Sequence, residues 1–270
     1  MCGRIVTPEE RAIENFWLIR RPDMGERMRP PEGARYNVAP QQNNPRNYIP
    51  VVRVNAAGGK ELVRMQWWLL PMWANARVIT YSTFNARLER VRQAPAFRES
   101  LKLQRCVVPA LGWYEWQELP GGNKPWFLHG REKEMLNFAG LWARWTDGIE
   151  VVESCALIVG PANTAFEGVH DRMPFILGRE DAVAWMDPNQ TDPDKALALL
   201  RPNPDDAVVW HRVSRRVNHA ANQGEELIRP ITPEELGAEE AAPAKPPKAA
   251  RLPKKPKPPS EPPPQGDLPF

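Results

Sequence analysis

Cysteine stands second in the chain, directly behind Met1. Methionine aminopeptidases remove Met when a small residue follows, so the mature chain is expected to start at Cys2. Its α-amine and thiol then sit on adjacent carbons. An amine of ordinary pKa roughly 8 beside a thiol of roughly 8.5 supplies two nucleophiles partly active near neutral pH. Such a 1,2-aminothiol reacts with an aldehyde in two strokes: the amine forms a Schiff base, and the thiolate closes a five-membered thiazolidine. The plainer reading is a cysteine placed by accident behind the initiator. Three other stretches carry polar groups in suggestive order. Thr83 to Glu89, if extended, turns Phe84, Ala86 and Leu88 to one face and Thr83, Asn85, Arg87 and Glu89 to the other. An Asn amide beside an Arg fork can orient a nucleophile and hold a phosphate, although a surface strand has the same pattern. In Leu111 to Trp116, Glu115 shares a side with Leu111 and Trp113. Burial there raises a carboxyl pKa toward neutrality and makes it a proton donor, whereas an edge strand would let it reach water. Val169 to Pro174 brings His170, Asp171 and Arg172 together before a proline. That combines a neutral-pH proton shuttle with both charges, unless it is only a solvated turn.

These groups need a rigid scaffold, and the chain reads mainly as strands. Gly3 to Thr7, Glu61 to Leu70, Cys106 to Trp116, Lys124 to His129, Met135 to Trp145 and Glu150 to Val159 are rich in β-branched and aromatic residues between Gly, Pro and Asn breakers. Thr7-Pro8-Glu9-Glu10 opens an expected helix to Ile19, residues 22–50 read mostly as loop, and short helices are expected near 161–168, 179–187 and 193–200. Many strands without βαβ alternation predict an α+β domain over 1–236, built on a curved, mostly antiparallel sheet with short peripheral helices.

The 270 residues, 42% hydrophobic with eleven Trp, suffice for one packed domain. No membrane span or signal-peptide core is visible, and a cytoplasmic protein is expected. Cys2, Cys106 and Cys155, with His129, His170, His211 and His219, show no metal-ligand spacing, so neither metal nor cofactor is expected. Residues 241–270 hold six Lys or Arg against two acids, leaving 30 basic and 31 acidic residues in the first 240. Eleven of the 31 prolines lie in that stretch, so 237–270 reads as an extended, solvated arm parting from the domain near Gly237. Lysines and Arg251 in the arm either attract phosphates or keep it soluble. Its end, Gln265-Gly266-Asp267-Leu268-Pro269-Phe270, resembles sliding-clamp-binding peptides, with Gln265, Leu268 and Phe270 as anchors. The acid-Leu-Pro-Phe ending also resembles the tip of bacterial single-strand-binding proteins, so the expected partner is the clamp or another replication protein.

Seven stretches in order resemble the SRAP family, the SOS-response-associated peptidase group. They are Met1-Cys2-Gly3-Arg4, Arg35 to Pro40, Trp67 with Pro71 and Trp73, Asn85-Ala86-Arg87, Gly112 to Trp116, Ala162-Asn163 with Val169 to Pro174, and Val213-Ser214 with Val217-Asn218. The resemblance spans about residues 2–230 and implies a β-barrel-like fold. It also implies covalent capture of abasic sites in single-stranded DNA, with the open-chain sugar supplying the aldehyde, and association with the nucleoid. Cys2 is then the nucleophile, Asn85 holds the N-terminus, Glu115 promotes ring opening and Schiff-base chemistry, and His170 handles the protons of closure and reversal. Arg4, Asn37, Arg87 and Arg172 match DNA-backbone contacts, while Pro40 and Trp67 match apolar groups that stack on or wedge between bases. This chain has Trp68 where the family usually has Gly, Arg90 where Thr is frequent, and Val159-Gly160 where threonines are frequent; Trp68 adds bulk to the expected DNA channel. Two other activities remain open: a thiol peptidase acting on peptides with Cys2 and His170, with self-processing of Met1, and a non-covalent binder of single-stranded or modified DNA.

Overall fold

The computed structural model describes residues 2–20, 31–119 and 122–241. The first strands are β1 (Ile5–Thr7), β2 (Arg35–Val38), β3 (Tyr48–Val54), β4 (Lys60–Trp67) and β5 (Asn85–Arg87). They are followed by β6 (Arg105–Ala110), β7 (Gly112–Gln117), β8 (Lys124–Gly130), β9 (Leu136–Thr146), β10 (Val151–Pro161), β11 (Arg172–Pro174) and β12 (Val208–Arg212). The helices are α1 (Glu10–Trp17), α2 (Leu88–Val91), α3 (Arg98–Leu103), α4 (Arg179–Trp185), α5 (Pro193–Leu197) and α6 (Pro233–Ala241).

One sheet runs β12-β8-β7-β1-β2, antiparallel throughout. In the other, β10-β4-β3-β6-β9 closes on itself because β9 also pairs with β10, from Val151↔Thr146 to Leu157↔Gly140. Closure makes a five-stranded barrel and leaves its ring without a free edge. The barrel is mixed: Cys155 of β10 lies parallel to Trp67 of β4. β10 is covered on both faces, which explains its unbroken apolar run from Cys155 to Gly160. Its Cys155, Leu157 and Val159 pack with Cys2, Ile5 and Trp113 between the two sheets. Ala156 and Ile158 face the other way, toward Ile13, Leu101 and Trp185 of the helices. The distal half of β10 also receives β5 in parallel, Leu157↔Asn85, and β11 antiparallel, Pro161↔Arg172. The Asn-Ala-Arg segment and the Arg172 segment therefore flank one strand on its two edges.

Several expectations need correction. The single strand expected over Cys106 to Trp116 is two strands in different sheets, breaking at Leu111. The region read as loop contains β2 and the start of β3. Residues 164–169 are turns rather than a helix: the Asn163 side chain caps them by accepting from the Phe166 amide at 3.1 Å, and Gly168 follows within one turn. Leu88 and Glu89 leave the extended line to begin α2. α6 runs through Gly237, and Glu239 binds Arg212 at 2.9 Å, so the folded part continues past the expected parting point.

Candidate functional site

Cys2 enters the structure just ahead of β1 and is fully buried among apolar side chains of both sheets. Asn85 opens β5, and its pairing to Leu157 points the side chain at the leading residue: Nδ2 donates to the Cys2 carbonyl at 2.6 Å. The Asn85 Oδ1 is buried with no hydrogen-bond partner among the described residues. Burial pushes the Cys2 thiol well above its ordinary pKa, the Glu115 carboxylate adds to the rise, and the amino-terminal charge and the Arg4 amide oppose it. The sequence reading of a thiol partly ionised near neutrality is thereby corrected: desolvation keeps it protonated.

Glu115 comes from β7, which lies against β1 with Trp113 opposite Ile5. Strand alternation carries Glu115 to the same side as buried Trp113, and it is 2% exposed. Burial raises its pKa to about 7, against the pull of the Met1 ammonium, while Asp171 adds to the rise. His170 stands in the turn before β11, its Nε2 3.9 Å from Glu115 Oε2. Its Nδ1 accepts from the Arg172 amide at 3.0 Å and lies 3.0 Å from Asp171 Oδ1. Burial and the amino-terminal ammonium lower the His170 pKa, and Asp171 opposes them. The fold thus gathers Asn85, Glu115 and His170 around the leading cysteine, with a carboxyl able to give or take a proton near pH 7.

The residues expected to face DNA divide into two groups. Arg87 is exposed, and Pro40, Trp68 and Arg172 are partly exposed. The Arg172 guanidinium pairs with Glu89, and the Trp68 ring leans on Phe84 with centroids 5.3 Å apart. Arg4 is partly buried, with Nη1 donating to Asn37 Oδ1 at 2.6 Å and to the Val217 carbonyl at 3.0 Å, and its guanidinium over Trp116. Asn37 and Trp67 do not match their expected roles. The Asn37 amide nitrogen donates to the carbonyls of Val217, His219 and Asn222 at 3.0–3.1 Å, so its donors tie β2 to the 217–222 segment and none is left for a phosphate. Trp67 is 0% exposed and donates to the Phe84 carbonyl at 3.0 Å, leaving no face for a base. Trp73, by contrast, is 53% exposed and anchored through its indole to the Pro95 carbonyl at 3.2 Å. Its place in Pro71-Met72-Trp73 gave no sign of this exposure; only the β4–β5 connection, which lifts it to the surface, does so. Gln265, Leu268 and Phe270 lie outside the described residues. No helix among the described residues is long and apolar enough to cross a membrane.

The Gly160 departure also has a structural reason. A Cβ there would stand 2.6 Å from the Phe175 ring, so any side chain at this position would collide with that ring.

Comparison with known proteins agrees with this arrangement. The family model described as SOS response associated peptidase (SRAP) matches residues 1–220. "Abasic site processing protein YoqW" of Bacillus subtilis is 36% identical over 232 residues, covering 84% of this chain and 99% of the relative. "Abasic site processing protein HMCES" of Mus musculus is 28% identical over 229 residues, covering 72% and 64%. Among solved structures, a Bordetella bronchiseptica protein superposes with a TM-score of 0.64 at 21% identity, covering 79% of this chain and all of the other. A phage-related protein of the same organism gives a TM-score of 0.58 at 30% identity, covering 78% and 94%. With its barrel, its buried leading cysteine and a family match over most of its length, the chain belongs to the SRAP family.

Proposed function

We propose that the protein processes abasic sites in single-stranded DNA by bonding the damaged sugar covalently to Cys2. The observation that carries this reading is the convergence of Asn85, Glu115 and His170 on a buried leading cysteine. Removal of Met1, by an aminopeptidase or by the protein itself, frees the amine, and the unpartnered Asn85 Oδ1 is available to accept one of its hydrogens. The amine nitrogen bonds to C1 of the ring-opened deoxyribose. The resulting hydroxyl leaves as water with a proton from Glu115, giving an iminium. Sulfur then bonds to the same carbon, its proton passes to the Glu115 carboxylate, and a thiazolidine remains. A carboxyl with pKa about 7 suits both transfers. A peptidase attacking with the Cys2 thiolate needs an ionised sulfur near neutrality, and burial together with Glu115 drives the thiol the other way.

Single strands are held by cationic grooves with stacking surfaces that tolerate any base. Arg4, Arg87 and Arg172 are the cations assigned here, with Pro40, Trp68 and Trp73 as apolar surfaces; Trp73 takes the role that buried Trp67 cannot fill. On denaturing gels, wild type mixed with abasic single-stranded DNA is expected to give a heat-stable shifted band, and Cys2→Ala none. Equal bands from both proteins contradict the proposal, and native binding without any band favours a non-covalent module. The arm is assigned a second task, docking through Gln265, Leu268 and Phe270 to the sliding clamp of a nucleoid-bound replication machine. Deleting 265–270 is expected to abolish capture by immobilised clamp; undiminished capture overturns this assignment.

A further inference from the structure

The proposed reaction starts from an ammonium and ends at a neutral thiazolidine, so one proton must leave a site whose carboxyl is 2% exposed. His170 lies between that carboxyl and solvent. Its Nε2 is 3.9 Å from Glu115 Oε2, and its Nδ1 is 3.0 Å from Asp171 Oδ1, on a side chain that is 82% exposed. Nδ1 has a second neighbour, the Arg172 amide nitrogen, also at 3.0 Å. The two neighbours make opposite demands. The Asp171 carboxylate only accepts, so it favours a proton on Nδ1; the Arg172 amide only donates, so it favours a bare Nδ1.

We propose that Asp171 is a positioning residue that sets the tautomer of His170, so that the imidazole exports the surplus proton of the reaction. This rests on the crosslinking reading above. With Nδ1–H donated to Asp171, Nε2 carries a lone pair toward Glu115. The Glu115 carboxylate takes a proton from the Cys2 ammonium and gives it to the departing hydroxyl; the proton it then receives from the thiol passes to Nε2, and the imidazolium releases its Nδ1 proton past Asp171 to water. Nδ1, now bare, accepts from the Arg172 amide. The balance is one ammonium, one thiol and one aldehyde converted to one thiazolidine, one water and one proton released to solvent, with Glu115 and Asp171 unchanged. The charges that bear on His170 are Glu115 and Glu118 from β7 and its end, the ammonium of Met1 while that residue is present, and Asp171 on its own turn; the neighbouring Arg172 guanidinium is engaged by Glu89.

The test is the rate of crosslinking to abasic single-stranded DNA between pH 6 and pH 9 for wild type, Asp171→Asn and Asp171→Glu. Asp171→Asn is expected to be about tenfold slower at pH 6, where an amine of ordinary pKa roughly 8 is protonated. It should match wild type at pH 9, where there is no ammonium proton to export, and Asp171→Glu should recover most of the loss. An Asp171→Asn rate equal to wild type throughout, or lowered by the same factor at every pH as a merely structural role requires, overturns the relay alone. A wild type that forms no crosslink at any pH overturns the crosslinking reading, and the relay with it.

Discussion

Glu115 is held at 2% exposure beside apolar Trp113, and removing a carboxylate from water costs free energy unless the proton stays on. Its pKa of about 7 in the folded state therefore lies above the unfolded value near 4.5. Between these values the native protein holds a proton that the unfolded chain has lost. Its stabilising contribution is complete below about pH 4.5 and is lost as pH rises through about 7. Glu115→Gln, which never ionises, should gain stability relative to wild type as pH goes from 5 to 8, by on the order of 3 kcal/mol. Crosslinking should fall by about 10² or more. Urea unfolding at the two pH values checks the first expectation and gel kinetics the second; a stability gap that does not open with pH contradicts this account of Glu115. Alternation along Gly112 to Glu115 made the buried carboxyl legible in the sequence, because a polar residue in phase with Trp113 announces its own desolvation. The Cys2 thiol was not legible in that way, since its pKa depends on walls supplied by both sheets.

Strands position these groups, and close packing between strands fixes where they stand. Gly112 begins β7 beside β8, where an added Cβ would lie 2.2 Å from the Leu128 carbonyl oxygen and 2.5 Å from the Phe127 ring. Backbone cannot step aside as a flexible side chain can, so Gly112→Ala should cost about 3 kcal/mol and shift Glu115 away from His170. Thermal unfolding and crosslinking rate of the variant check this; an unchanged melting temperature contradicts it. Most strands were legible because β-branched runs end at Gly, Pro or Asn. The break at Leu111 was not, since both strands are apolar and only their different sheets separate them. Trp67 and Trp73 show the same limit, because residue type cannot tell a tryptophan sealed under Phe84 from one lifted out on a loop.

Across the whole molecule, the closed barrel and the second sheet enclose Cys2, so that its thiol and the Glu115 carboxyl are buried close to one another. The order of motifs along the chain was legible, whereas the pairings of β10 with β4, which close the barrel, and with β5, which bring Asn85 to it, join residues far apart in sequence. In the proposed conjugate the nitrogen and the sulfur of Cys2 are both bonded to the sugar carbon. The most direct measurement is the intact mass of the purified conjugate after denaturation and thiol alkylation. The chain has three cysteines, Cys2, Cys106 and Cys155, all free in the protein. The predicted result is a mass equal to the Met1-less chain plus the oligonucleotide less one water, carrying two alkyl groups. A conjugate that takes up three alkyl groups leaves the Cys2 sulfur unbonded and contradicts the account.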